Sequence, residues 1–360
     1  MKLFQLPDAA FLVKFCVFLL GLSGLLTIYS SQTESSEPFY LVFRQLIFFI
    51  AGMILLFTAE KIRFEAWLSA APVLLGISIL LLFLLPVFGS RINGMCGWYR
   101  LGSWSFQPSE VCRGFYLLGT VMLLQTMSRS KTAFLLQILS IALWLIPIAL
   151  QPDVGTAAVY AISILLVLFL AGTPLRYLAS VIAPALLGSA LLIWCNPYML
   201  RRITGFLTPE ADPAGSSWHL RQFALTVARG GWTGSKTGMA LWSNAYLPFS
   251  YNDSAGATML ETLGVLGGLL ILIVFITLIF SLKKLAFSGN PAPAAKLFIL
   301  GCCIFTAVQT FIHMGVNLAL LPPTGIVLPF ISYGGSSMLG FCLMTGIALA
   351  AARGKDDFQI

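Results

Sequence analysis

The sequence predicts an all-α, polytopic membrane protein with about ten transmembrane helices, because apolar runs of about 20 residues, the length that crosses a bilayer, follow one another along the chain. Of its 360 residues, 58% are hydrophobic and 9% are charged, whereas a soluble domain carries about 25% charged residues. The mean hydropathy is +0.92. The net charge of +8 does not indicate a nucleic-acid partner, because the basic residues punctuate the apolar runs instead of clustering.

The apolar runs are expected to form one bundle over residues 1–360. Their approximate ranges are 11–30, 39–59, 66–88, 108–127, 134–150, 154–172, 176–195, 258–282, 297–320 and 334–352. A long polar interval at 196–257 separates the seventh run from the eighth. We therefore expect one large loop between spans seven and eight and no separate soluble domain.

Basic residues in alternate short connections predict that both termini face the cytoplasm. In that orientation Lys61 and Arg63 are cytoplasmic, and so are Lys283 and Lys284. The connection 31–38 holds acids and no base, as the positive-inside rule expects of an outside loop. Since long loops translocate largely regardless of charge, the 196–257 loop is expected to be extracytoplasmic.

Two segments near the outer face have distinctive patterns. Within 220–227, apolar residues recur at helical spacing, which predicts an amphipathic helix lying either on the membrane surface or on the outer face of the bundle. The segment 321–337 is apolar but too rich in Pro and Gly for one helix. Irregular backbone at membrane depth is tolerated only where protein buries it or where it lines a cavity, so we predict a re-entrant-like loop.

Ionisable residues in or beside membrane spans usually face a partner or a cavity. Asp253 stands where the long loop re-enters the eighth span, and Glu110 and Arg113 have the i, i+3 spacing of a local ion pair or a functional pair. His313 is expected to be a packing histidine, and a zinc site is not expected. These residues alone leave open an enzyme acting on a membrane-bound substrate, a transporter and a binding scaffold.

Three sequence strings resemble the signature motifs of the SEDS family (shape, elongation, division and sporulation proteins), in order and over essentially the whole chain. They are NGMCGWYRLG at 93–102, which continues to QPSE at 107–110, then QPDVGTA at 151–157 and LPFISYGGSS at 328–337. The short termini are closer to the elongation branch of the family than to its division branch.

The resemblance implies a peptidoglycan glycosyltransferase that polymerises lipid II at the outer face of the bacterial cytoplasmic membrane. It also implies a class B penicillin-binding protein as partner, lipid II as substrate and no nucleic acid. A flippase for lipid-linked precursors and a non-catalytic scaffold for the penicillin-binding protein are the alternatives.

The family pattern assigns Asp253 to the essential aspartate, because Leu247, Pro248, Glu261 and Gly264 match the surrounding motif without a gap. The chain departs from the family at several positions, which are Gly97, Arg113, Phe249, Asn252, the 254–256 run and Val327. Arg113 stands where the family has a lysine expected to pair with the aspartate. An Asp–Arg pair would lower the pKa of Asp253 and keep it ionised.

These considerations assign roles to nine residues. The predicted catalytic residues are Asp253 as general base, Arg113 as the group that sets its ionisation, and Glu110 as a support of the cavity. The predicted substrate-binding residues are Trp98, Arg100, Asp153, Arg221, Glu261 and Ser336. A divalent cation, Mg²⁺ or Mn²⁺, with Asp253 as candidate ligand, is an expected helper for the departing diphosphate, and no organic cofactor is expected.

Overall fold

The computed structural model describes residues 8–32, 37–92, 95–127, 131–210, 212, 215 and 217–353. These residues form fourteen helices and three strands. The helices are α1 (Ala9–Ser31), α2 (Pro38–Lys61), α3 (Phe64–Phe88), α4 (Pro108–Val111), α5 (Arg113–Met127), α6 (Lys131–Leu150), α7 (Val154–Leu170), α8 (Leu175–Cys195), α9 (Pro197–Leu207), α10 (Trp218–Gly230), α11 (Leu241–Tyr246), α12 (Ala255–Phe287), α13 (Pro293–Asn317) and α14 (Gly335–Ala352). The strands are β1 (Ser90–Ile92), β2 (Met95–Leu101) and β3 (Trp104–Phe106). Residues 33–36 of the acidic connection, and Asn93 and Gly94 of the first signature string, lie outside the described residues.

Within the described part of the chain, seven helices are long and apolar enough to cross a membrane, namely α1, α2, α3, α8, α12, α13 and α14. α6 and α7 contain shorter apolar stretches, Phe134–Leu150 and Val154–Leu170, and α5 has 15 residues. The chain is thus a polytopic helical membrane protein, as predicted. The count of about ten spans stays a prediction, because α5 and α7 are shorter than the roughly 20 residues that cross a bilayer.

Hydrogen bonds between distant segments show that several connections meet at one end of the bundle. The β-sheet, the 151–153 connection, the loop after α8 and the 318–334 segment are gathered there. Hydrogen bonds join them: Arg44 at the start of α2 donates to the Ser103 carbonyl oxygen over 2.6 Å, and Arg202 of α9 donates to the Pro323 carbonyl oxygen over 3.3 Å. We call this end the outer end, following the predicted orientation.

α14 lies at the centre of the bundle, and nearly all its residues are buried. It packs against α2, α13, α5 and α4. Small residues allow the close approach, as in other membrane helix interfaces: a Cβ atom at Gly340 would overlap the Glu110 carbonyl oxygen. This contact holds α4, and Glu110 with it, against the centre of the bundle.

A small antiparallel sheet of order β1-β2-β3 covers the outer end, and the all-helical prediction did not include it. β2 and β3 form a hairpin in which Tyr99 is paired with Phe106 and Leu101 with Trp104, and Gly102 makes the turn with a φ of 62°. The strands are only three to seven residues long, too short for an alternating pattern to stand out from a loop.

The long loop contains α9, α10 and α11 instead of unstructured chain. The predicted amphipathic helix is α10, and it packs against α12. Phe223 is buried at 4% exposure, while Arg221 points to the exposed side of the helix. The packing on the bundle agrees with the second of the two placements considered for this helix.

α12 is broken at Gly264, which has φ 69° and ψ −177°. The break leaves the N–H groups of Val265 and Leu266 without helical acceptors, and they donate to the carbonyl oxygens of Gly231 and Trp232 over 2.9 and 3.0 Å. In return, the Ser235 N–H donates to the Glu261 carbonyl oxygen over 2.8 Å. The loop after α10 is therefore hydrogen-bonded into the broken helix.

Replacing Gly264 by Ala is expected to lower the free energy of unfolding by about 1–3 kcal/mol, because this backbone conformation is essentially restricted to glycine. The new Cβ would also overlap the Gly234 nitrogen and the Trp232 carbonyl oxygen. Thermal unfolding of the detergent-solubilised protein measures the effect. Gly76→Ala is the control, because a Cβ there meets nothing within 4 Å; equal losses in both variants would contradict the explanation.

Candidate functional site

Asp253 lies in a turn directly before α12, and this turn is hydrogen-bonded to the irregular 318–334 segment. The Tyr333 N–H donates to the Tyr251 carbonyl oxygen over 2.8 Å. The Ser332 hydroxyl donates to the Asn252 carbonyl oxygen over 2.7 Å. The rings of Tyr251 and Tyr333 meet edge to face at 5.6 Å between centroids. The signature string at 328–337 and the Asp253 turn therefore form one unit.

A row of polar side chains on α13 is hydrogen-bonded to this unit. Gln309, His313 and Asn317 are spaced by four residues, so they lie on one face of the helix. The Asn317 amide donates to the Asp253 carbonyl oxygen over 3.0 Å and accepts from the Ala257 N–H over 2.8 Å. It thereby satisfies one of the first N–H groups of α12, which have no helical acceptor.

His313 is part of the same row. Its Nε2 accepts from the Gly256 N–H over 3.1 Å, so its Nδ1 carries the proton and donates to the Ile326 carbonyl oxygen at 2.8 Å. Gln309 donates to the Val327 carbonyl oxygen over 2.9 Å. Both ring nitrogens of His313 are occupied, which agrees with its prediction as a packing histidine.

The Asp253 side chain is half-buried. Its Oδ1 is buried and has no hydrogen-bond partner among the described residues. Burial raises the pKa of Asp253 to about 6, and the backbone N–H groups of Asp253 and Ser254 together with the positive charge of Arg202 offset only part of that rise. A carboxyl with this pKa is mostly ionised at neutral pH and can still accept a proton, which is the property required of a general base.

Glu110 and Arg113 form a buried ion pair at 2.8 Å between Oε2 and Nη2. The Arg113 guanidinium also lies 3.8 Å above the Phe341 ring of α14. No ion pair joins Arg113 to Asp253 within the described part of the chain. The prediction that Arg113 lowers the pKa of Asp253 is therefore wrong: Arg113 is engaged by Glu110, and burial raises that pKa instead.

Asp153 and Ser336 belong to a second hydrogen-bonded group, which is centred on Gln107. The Gln107 side chain donates to Asp153 Oδ2 over 3.1 Å, and its N–H donates to the Ser336 hydroxyl over 3.0 Å. Asp153 also caps α7, because its Oδ1 accepts from the Thr156 N–H over 3.1 Å. Burial raises the pKa of Asp153 to about 6, with a smaller contribution from the negative charge of Glu110.

Glu261 has a structural role that sequence reasoning did not foresee. Its Oε1 accepts from the Trp242 N–H over 2.8 Å. Its Oε2 accepts from the Ser243 N–H over 2.8 Å and from the Ser243 hydroxyl over 2.6 Å. The carboxylate thus caps the start of α11 and is buried at 3% exposure. We reassign Glu261 from substrate binding to positioning of the loop.

The three remaining predicted residues lie on other elements, β2 and α10. Trp98 is half-buried in β2, opposite Ser90 of β1. Arg100 is exposed, with its Nε 3.4 Å from the Gly102 carbonyl oxygen. Arg221 is exposed on α10. Trp98 and Arg100 have no hydrogen bond or ion pair to the Asp253 turn in the described ranges, so any common ligand must span the distance between them.

Two contributors to the site were missed in the sequence. Arg202 is one of several basic residues in the long loop, and nothing in its local pattern distinguishes it. The α13 row had a detectable signal, because an amide or imidazole side chain recurs every four residues in the last three turns of a largely apolar helix. In the described residues, no group of three or more His, Cys, Asp or Glu side chains is placed to hold a metal ion.

The comparisons with known proteins agree with this geometry. A family model described as "Cell cycle protein" (FtsW/RodA/SpoVE) matches residues 10–356. A protein named "Probable peptidoglycan glycosyltransferase FtsW" from Nitrosococcus halophilus (strain Nc4) is 32% identical over 95% of this chain and 91% of its own length. The protein of the same name from Coxiella burnetii (strain RSA 493 / Nine Mile phase I) is 33% identical over 94% of this chain and 95% of its own length.

Solved structures share the fold as well. A chain from the structure described as "Structural coordination of polymerization and crosslinking by a peptidoglycan synthase complex" has a TM-score of 0.78 and 27% identity, over 97% of this chain and 98% of that chain. The rod shape determining protein RodA of Thermus thermophilus has a TM-score of 0.70 and 24% identity, over 94% of this chain and 95% of its own. At this identity, the similarity to RodA concerns the fold alone.

Proposed function

Because this chain belongs to the FtsW/RodA/SpoVE family of cell cycle proteins, we propose that it is a peptidoglycan glycosyltransferase. It extends glycan strands from lipid II at the outer face of the bacterial cytoplasmic membrane, and both of its termini are cytoplasmic. The observation that supports this activity is the half-buried Asp253 carboxyl at the outer end of the bundle, whose Oδ1 is buried and whose pKa is raised to about 6.

In the proposed reaction, a sugar 4-hydroxyl attacks the anomeric carbon of a lipid-linked sugar. The new bond joins the hydroxyl oxygen to that carbon, and the bond between the carbon and the lipid diphosphate breaks. Asp253 takes the proton of the attacking hydroxyl. The negative charge of the departing diphosphate requires nearby cations.

Arginines of the long loop supply that charge in our proposal. Arg202 lies close enough to Asp253 to influence its pKa, and Arg221 offers an exposed guanidinium on α10. Asp253 is a single carboxylate, so the described residues fit a divalent cation shared with the substrate and not a metal cage of the protein. Mg²⁺ commonly binds in that way, through one or two carboxylates and substrate phosphates.

A class B penicillin-binding protein is the proposed partner. The structural neighbour with a TM-score of 0.78 comes from a study of a complex that couples polymerisation to crosslinking, which supports a crosslinking partner for this chain. The FtsW names of the relatives favour the division branch of the family, whereas the short termini indicate the elongation branch.

The test is an assay of the purified protein with lipid II, with and without its penicillin-binding protein, in vesicles. We expect glycan strands longer than the starting disaccharide. Movement of lipid II across the bilayer without strand growth would instead identify a flippase. If the protein neither forms glycan strands nor moves lipid II, but still recruits the penicillin-binding protein, it is a scaffold.

A further inference from the structure

A cavity of about 370 Å³ lies between α3 and α6 beneath the outer sheet. Its apolar walls come from the outer parts of the two helices, which contribute Leu82, Phe83 and Pro86, and Ile146, Pro147 and Leu150. Phe83 and Leu150 are 48% and 70% exposed, so the cavity is open on the side where these helices face lipid. No residue of the Asp253 turn lines it.

Two hydrogen-bond donors lie at the outer edge of this cavity. Arg91 of β1 lines it, and it is exposed and forms no ion pair within the described ranges. Gln151 lines it from the other side. Gln151 is only 6% exposed, yet its Nε2 has no hydrogen-bond partner among the described residues. Such a buried, unpaired donor is unusual in proteins and indicates a missing acceptor.

The lining chemistry defines the kind of ligand that fits. A guanidinium and an amide N–H₂ both donate hydrogen bonds, and none of the described residues that line the cavity carries a carboxylate, so the polar end suits an anion. The walls suit a hydrocarbon chain. Both donors lie at the outer ends of membrane helices, the level of lipid headgroups.

We propose that this cavity binds an anionic bilayer phospholipid, with its phosphate on Arg91 and Gln151 and an acyl chain between α3 and α6. A phospholipid fits better than a lipid-linked sugar, because the described part of the lining offers no acidic side chain to bind sugar hydroxyls. The site is independent of the proposed function, since it shares no residue with the Asp253 turn.

Native mass spectrometry of the full chain, released from nanodiscs, tests the proposal. The discs contain phosphatidylcholine with a small fraction of phosphatidylglycerol or of a polyprenyl diphosphate. We expect each wild-type chain to retain one molecule of phosphatidylglycerol. In Arg91→Ala and in Gln151→Leu, this retention should be about tenfold lower, which is the loss expected for one hydrogen bond to a charged group. Arg201→Ala, an exposed arginine of α9, is the matched control and should retain the lipid.

Three results would overturn the proposal. One is equal retention of phosphatidylglycerol by the wild type and by Arg91→Ala. Another is preferential retention of the polyprenyl diphosphate, which would assign the cavity to a lipid carrier. The third is unchanged retention when Ile146→Trp fills the cavity from its exposed wall. Arg91 and Ile146 are both surface residues, so these variants test the site even if Gln151→Leu does not fold.

Discussion

Replacing Asp253 by Asn is expected to reduce strand synthesis from lipid II by about 10²- to 10⁴-fold, the range typical of a lost general base. The amide has nearly the same shape as the carboxyl but cannot accept the proton of the attacking hydroxyl. The contact with α13 persists, because the Asn317 amide binds the Asp253 main-chain carbonyl and not its side chain. A polymerisation assay with the partner present measures the loss.

Glu210→Gln is the matched control, because it removes an exposed acid from the same long loop. It should polymerise at the wild-type rate. Thermal unfolding of both variants separates a chemical defect from misfolding. Wild-type polymerisation by folded Asp253→Asn protein would eliminate Asp253 as the base.

The pH dependence of the wild-type protein provides a second check on Asp253. A base must be ionised to act, and the pKa of Asp253 is raised to about 6. Activity should therefore be full above that pH and fall as the pH drops through about 6, rather than through the ordinary carboxyl value near 4. Asp153 has a similar pKa, so Asp153→Asn is needed as a comparison. The acid limb should remain in that variant.

Replacing Arg113 by Ala is expected to lower the free energy of unfolding by about 3–5 kcal/mol, because it leaves the buried Glu110 without its counter-charge. Arg113 is completely buried, and α14 covers the pair through Phe341. Water cannot readily reach the abandoned carboxylate. Thermal or denaturant unfolding in detergent measures the loss.

The exposed pair of Arg63 and Glu65, 3.7 Å apart, provides the comparison for Arg113. Arg63→Ala should change stability by less than about 1 kcal/mol, as is typical of surface ion pairs. The double variant Glu110→Leu, Arg113→Met should be more stable than Arg113→Ala, because it removes both charges together. A double variant no more stable than the single one would show that the loss comes from packing.

The predicted spans correspond to observed helices because a span is encoded locally. A run of apolar residues must bury its backbone hydrogen bonds inside the segment when it enters lipid, and only a helix does this within one stretch of chain. The sheet at 90–106 was missed for the opposite reason. Its strands gain stability from pairing with each other, and seven residues or fewer carry little periodic signal.

The candidate site also contains one part that the sequence reveals and another that it does not. Asp253 was identifiable because the motif from Leu247 to Gly264 is contiguous in the sequence. Its partners were not identifiable, since they come from distant segments. Arg202 is about fifty residues away, and Asn317 more than sixty. The sequence assigned Arg113 to Asp253 by family pattern, and the structure pairs it with Glu110.

The sequence by itself therefore determined the membrane fold and the family, and it identified Asp253 as the candidate base. Tertiary structure alone decided what surrounds that carboxylate. A pKa depends on burial and on charges a few ångströms away, and packing between α9, α13 and the 318–334 segment sets both for Asp253. No local spacing encodes that packing, because it results from all of the helices together.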